Sequence, residues 1–227
     1  MDIIVLAGGL STERDVSFKT GGMVAKALKE NGHRVILLDV FMGYSDHEED
    51  LTDMFARADE VSVRSRDIPE IAPDLAAVKA SRKDQSDCFF GPNVIRMCQM
   101  ADIVFMALHG ENGENGKLQA AFDLLGVKYT GSDYLSSAIA MNKGIAKQLM
   151  NANGIPTPRG MSMTRDQRED DRARYTKLYK DLAPLVKAGK VFMTVNSREV
   201  LTRSDGSTGW FKYLEWIEFD TSEILGA

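Results

Sequence analysis

The chain opens with short apolar runs separated by amphipathic stretches. "IIVLA" ends at Gly8-Gly9 and shows no polar alternation, as expected of a strand buried on both faces of a sheet. From Thr12 to Glu30 the apolar positions Val16, Met23, Val24, Ala27 and Leu28 share one helical face. Thr12 with Asp15 reads as a capping box at its start, and Asn31-Gly32 as its stop. "HRVILLDV" is the next strand. Strand, helix and strand with short connections predict a right-handed crossover in a parallel sheet.

The pattern weakens from Phe41 to Phe90, a charged excursion broken by Pro69 and Pro73, with short helices and "EVSVRS" as a small strand. Alternation then resumes. "GPNVIRMCQM" predicts a helix, "ADIVFMALHG" a strand with its C-terminal loop, "KLQAAFDLLG" a helix and "VKYTGS" a short strand. A further helix is expected from Leu135 to Asn151, ended by Gly154, Pro156 and Pro158, with "IPTPRGMSM" leading into another strand. "TRDQREDDRARYTKLYKDLAPLVKAG" reads as a charged helix. The alternating residues around Asp205-Gly206 read as β-hairpins. This tail is too short for a large second core, so its expected cover is the first domain, another subunit or nothing.

The balance of residues narrows the function classes. Hydrophobic residues make up 44% and charged residues 27% of the 227, ordinary for a globular protein. A net charge of -5 without basic patches argues against nucleic-acid and anionic-membrane partners. Two cysteines, Cys88 and Cys98, argue against a disulfide framework and for a reducing compartment. "MDIIVLAGG" lacks a signal peptide's basic start, and no run approaches the roughly 20 apolar residues of a membrane span. A cytoplasmic location is expected.

In open α/β sheets ligands bind beyond the carboxyl ends of the strands. Two loops answer that description, "GGLSTER" after the first strand and "LHGENGENG" after "IVFMA". Neither is a phosphate cradle. A dinucleotide fingerprint begun at Gly8 meets Leu10 and Glu13 where glycines are required, and a carboxylate there repels phosphate. "GENGENGKL" has one residue too many for a P-loop, and Leu118 where a magnesium-binding hydroxyl belongs. Glu13 fits instead a carboxylate at a pocket rim that receives an ammonium group, although an acid in a first helical turn also simply favours the dipole. Arg14 beside it is expected to point away, into solvent or toward a neighbour. Ser17 either helps hold Glu13 or lies on plain helix surface. His109 sits at a strand's end before Gly110, which admits a ligand or backbone closely. His33 and His47 read as solvated, and three scattered histidines give no metal-ligand spacing.

The stretches "VLAGGLSTERDVS", "ADIVFMALHGENGENGKLQAAFDLLGVKYTGS", "SSAIAMNKGIAKQLM" and "NGIPTP", in that order, resemble the N-terminal part of the D-alanine–D-alanine ligase family over roughly the first 160 residues. The resemblance implies an α/β fold: a Rossmann-like preATP-grasp domain with a parallel sheet at 1–140, a linker helix and strand at 141–163, and a short α+β region at 164–227 in place of a full ATP-grasp domain. It implies ATP- and magnesium-dependent chemistry in peptidoglycan precursor synthesis. ATP phosphorylates the carboxylate of one D-alanine, and the amine of a second attacks the acyl phosphate. By the same resemblance Glu13 is the catalytic and substrate-binding contact to the first D-alanine's ammonium. Ser17 and His109 belong to the substrate site, and Lys143 and Lys187 are the ATP-phosphate contacts. No residue is assigned to metal, and a homodimer is the assembly the family suggests.

The sequence departs from the family after "MSMTRDQRED". The expected Lys-Pro strand end, Gly-Ser-Ser-x-Gly loop and Glu-x-Asn metal motif are missing, and Lys187 in "VKAG" echoes only the first. Two readings follow: a ligase of this type, or a catalytically incomplete fragment or non-enzymatic module for D-amino-acid binding or interaction.

Overall fold

The computed structural model describes residues 1–44, 51–65, 67–164, 169–188, 191–202 and 208–218. They divide into two compact units, Met1–Met141 and Asn142–Ala227.

The first unit is built on a parallel sheet of β1 (Asp2–Ala7), β2 (Arg34–Asp39) and β3 (Ile103–Met106) in the order β2-β1-β3. β1 is central, pairing Val5 with Leu37 on one side and with Phe105 on the other. Its alternation sorts side chains to two faces, as a period of two requires. Ile3, Val5 and Ala7 join Val35, Leu37 and Phe18 on one face, while Ile4 and Leu6 join Ile36, Leu38, Met97 and Phe122 on the other. The first face is covered by α1 (Arg14–Glu30). The second is covered by α4 (Val94–Met100) and α6 (Lys117–Leu125), which supply Met97 and Phe122. Helices therefore flank a parallel sheet on both sides, the α/β class expected. Each fully buried Leu, Ile or Phe contributes about 1.5–3 kcal/mol.

α1 differs from the sequence expectation in its face and its cap. Arg14, Ser17, Phe18, Gly21 and Ala25 are buried, whereas Met23 is 65% exposed and Ala27 is exposed. Close approach decides this: a Cβ on Gly21 would lie 3.0 Å from both Ala7 Cβ and Leu37 Cδ1. Small residues let the helix settle on the sheet, and its larger apolar residues are left toward the rim. The Thr12–Asp15 capping box does not form. Glu13 is the N-cap and makes no side-chain cap; Ser11 Oγ instead accepts from the Glu13 amide at 3.2 Å.

The excursion contributes α2 (Ala58–Val61) and α3 (Leu75–Ser81). "EVSVRS" is no strand: Val63 donates to the Leu37 carbonyl at 2.8 Å, and Leu37 donates to Ser62 Oγ at 3.1 Å. These two bonds cover the outer edge of β2 without a ladder. His47 lies outside the described residues. "VKYTGS" likewise shrinks to one parallel bridge, Val104 to Tyr129, beside β3. α5 (Glu111–Glu114) precedes α6, and α7 (Tyr134–Met141) ends the unit. The single helix expected over Leu135–Asn151 is two helices, because the Asn142 side chain caps the second by accepting from Ile145 N at 3.2 Å.

The second unit holds α8 (Lys143–Ala152), β4 (Arg159–Thr164), α9 (Glu169–Lys187), β5 (Val191–Thr202) and β6 (Thr208–Glu218). Its antiparallel sheet runs β4-β6-β5, and α8 and α9 contact its strands. The tail thus has elements of its own to pack on. β5 and β6 pair from Val191–Glu218 to Thr202–Thr208 as the hairpin predicted, while Asp205 and Gly206 lie outside the described residues. Among the described residues no helix is long and apolar enough to cross a membrane.

Candidate functional site

β1 and β3 are parallel neighbours, so the loops that follow them rise from the same edge of the sheet. A hydrogen bond joins the two loops. Ser11 Oγ donates to the His109 carbonyl at 2.9 Å and accepts from the Glu13 amide, so one hydroxyl bridges them. Gly110 has φ +80, and a Cβ built there would fall 2.9 Å from Glu13 Oε2 and 3.0 Å from Ser11 Oγ. The Glu13 carboxylate therefore lies against the Gly110 backbone, and only glycine tolerates both that dihedral and that contact. Glu13 is exposed, and none of the ion pairs formed by the described residues involves it.

His109 stands at the same edge. Its Nε2 is 3.1 Å from Thr20 Oγ1 on α1, and its Nδ1 is 3.8 Å from Glu114 Oε1. The second contact is ionic only when the imidazole is protonated. The ring is about one-third exposed, at 35%. The structure thus brings Glu13 and His109 to one edge, on loops that Ser11 ties together.

Ser17 has another place. It is fully buried, accepts from the Gly8 amide at 2.9 Å and donates to the Ala107 carbonyl at 2.8 Å. It ties the ends of β1 and β3 to α1, with its one proton committed to the protein. The hydroxyl is scaffold beneath the loops rather than surface beside Glu13.

Arg14 points away from Glu13 as expected, and of the two destinations it takes a neighbour rather than solvent. It is buried, donates from Nη1 to the Gly9 carbonyl at 2.6 Å and to Asp39 Oδ1 at 3.2 Å, and from Nη2 to Asp39 Oδ2. Its Cζ lies 5.0 Å from the Phe18 ring centroid, a cation–π distance. Asp39, the last residue of β2, also accepts from the amides of Phe41 at 3.0 Å and Met42 at 3.2 Å. Sequence reasoning missed Asp39. The signal was there: it is the acid that ends the apolar run "VILLD", where a strand reaches the ligand-binding edge. Thr20 and Gln119 were also missed. Gln119 is buried and donates from Nε2 to the Gly113 carbonyl at 2.8 Å, which steadies the loop carrying His109.

Lys143 and Lys187 belong to the second unit. Lys143 opens α8 and Lys187 closes α9, and both are exposed. Lys147, one turn after Lys143, is instead buried; its Nζ donates to Thr157 Oγ1 at 3.3 Å and to the Pro158 carbonyl, pinning α8 to the segment before β4. Among the described residues no three His, Cys, Asp or Glu side chains converge as a metal cage would require. The sequence also has no Gly-Ser-Ser-x-Gly loop to cover phosphates.

Residues 2–132 match the family model for the D-ala D-ala ligase N-terminus. The chain is 43% identical over 167 residues to a D-alanine–D-alanine ligase of Lacticaseibacillus casei, covering 74% of this chain and 46% of that protein. It is 41% identical over 158 residues to the ligase of Pediococcus pentosaceus, covering 69% and 44%. The chain thus spans less than half the length of these curated relatives. A solved D-alanine–D-alanine ligase from Coxiella burnetii shares the fold, with a TM-score of 0.53 at 22% identity over 94% of this chain and 62% of that one. With the family model spanning more than half of its residues, the chain belongs to the D-ala D-ala ligase N-terminus family.

Proposed function

We propose that the first unit receives the ammonium group of D-alanine at Glu13, as the N-terminal part of a carboxylate–amine ligase that joins two D-alanines for peptidoglycan precursor synthesis. One observation carries this reading: an exposed carboxylate, unpaired among the described residues, held against a glycine backbone where the β1 and β3 loops meet. Such a carboxylate suits a small zwitterion better than a phosphate. His109, on the adjoining loop, adds positive charge for a substrate carboxylate when protonated, a charge it shares with Glu114. Holding an amino acid by its charge fixes its orientation, the part of catalysis that positioning supplies.

Calorimetric titration with D-alanine tests the binding half. Binding to the wild type that drops at least tenfold in Glu13→Gln, with unfolding temperature unchanged, supports the reading; equal affinities remove it. The catalytic half is tested by phosphate release from ATP and magnesium, with and without D-alanine. D-alanine-dependent release identifies a ligase. Binding without release favours the second reading, a D-amino-acid-binding module.

A further inference from the structure

Glu13 has a cation for its next neighbour, which ought to spoil it as an ammonium receptor. Consecutive Cα atoms are about 3.8 Å apart. A free guanidinium at Arg14 would therefore sit well inside the roughly 8–10 Å over which charges act in physiological salt. It would offset the carboxylate's attraction for a ligand cation, or pair with it outright. The structure prevents both. Arg14 is turned into the protein and its charge is met by Asp39, itself buried and fixed by the Phe41 and Met42 amides.

The packing around the pair is specific to it. Gly8 has φ +79, and a Cβ there would lie 2.7 Å from Asp39 Oδ1 and 2.9 Å from the Phe18 ring. The backbone of the first loop is thus fitted around the carboxylate, and the Gly9 carbonyl accepts from the guanidinium. A buried ion pair is weak evidence of stabilisation, since an apolar pair of similar volume often does as well. A role beyond stability is called for.

We propose that Asp39 is a positioning residue for ammonium capture: by binding and neutralising Arg14, it leaves the Glu13 carboxylate against Gly110 without the adjacent guanidinium to satisfy it. This rests on Glu13 as the ammonium receptor and adds the reason that site stays open. The pair also anchors the chain on the far side of Glu13 from Ser11, so Ser11 holds one flank and Arg14 the other.

The test is calorimetry of the full chain with D-alanine and with D-alanine methyl ester, which keeps the ammonium and removes the carboxylate. Asp39→Asn retains an acceptor for the loop amides and leaves Arg14 uncompensated; affinity for both ligands falls fivefold or more. The double variant Arg14→Met/Asp39→Asn removes both charges and returns affinity to within about twofold of wild type. A purely structural role predicts the same rescue but with affinity tracking the unfolding temperature, so unfolding is read on each variant. An affinity loss in Asp39→Asn that only mirrors a lowered unfolding temperature overturns the inference. Should Asp39→Asn fail to fold, Arg14→Lys decides, because a lysine cannot span three acceptors and its mobile charge competes at Glu13, lowering both affinities severalfold.

Folded Asp39→Asn with wild-type affinity, a double variant no better than the single, or a folded Arg14→Lys with wild-type affinity where that variant decides, overturns this inference alone. A wild type that binds neither ligand, or binds both as well after Glu13→Gln, removes the ammonium-receptor reading and this inference with it.

Discussion

Gly110 shows how much one residue decides here. Its φ of +80 strains any side chain placed there, and a Cβ would push Glu13 Oε2 aside. Gly110→Ala is expected to cost about 1–3 kcal/mol of stability from the strained backbone alone, and to weaken D-alanine binding at least tenfold by displacing Glu13. Thermal unfolding and calorimetry on one preparation separate the two effects. The cysteines make a second prediction. Cys98 is buried in the core, and burial pushes its thiol up to about 12, whereas Cys88 is exposed. Iodoacetamide at pH 8 should label Cys88 alone in the native protein and both residues in denaturant, because the thiolate is the nucleophile. The folded thiol's pKa is raised, so its contribution to stability is complete below the unfolded pKa of about 8.5–9 and is lost as pH rises toward about 12.

Among elements, α1 is the informative one. A β-branched side chain at Gly21 cannot be housed 3.0 Å from Ala7 and Leu37 without moving the helix. Gly21→Val should destabilise the first unit by about 1–3 kcal/mol, read from urea unfolding, as overpacking does. This contact also explains what the sequence concealed. The strands β1, β2 and β3 were legible because each is a short apolar run closed by a glycine, an acid or a loop. The face of α1 was not, because periodicity weights bulk, and this helix is seated by Ser17, Gly21 and Ala25. Glu13 and His109 were legible as a pair through strand ends alone. Arg14 and Asp39 were not, since nothing local to either says that they meet across about twenty-five positions. The single helix expected over Leu135–Asn151 failed for a local reason: Asn142 satisfies an amide of the next helix, so it begins a helix where the apolar pattern runs on.

At the scale of the molecule, the two buried apolar clusters found among the described residues lie within Met1–Met141. A fragment of residues 1–141 should therefore fold cooperatively, with a single urea transition. The absence of one would show that the second unit is needed. Both tryptophans, Trp210 and Trp216, lie on β6, so their fluorescence is a probe sited in the second unit. In the full chain their transition need not coincide with that of far-ultraviolet circular dichroism, and separated midpoints would mark the two units as independent.

The central place of β1 has a bearing on how the protein is made. Its partner on one edge, β2, follows within about thirty residues, but the pairing of Ile3 with Ile103 must wait for a hundred residues of synthesis. Contacts so far apart in the chain form slowly, since a long loop must close first. While the ribosome is still at work, β1, made before both its partners, is left with half its ladder open, and the ledge that carries Glu13 acquires its second wall only when β3 arrives.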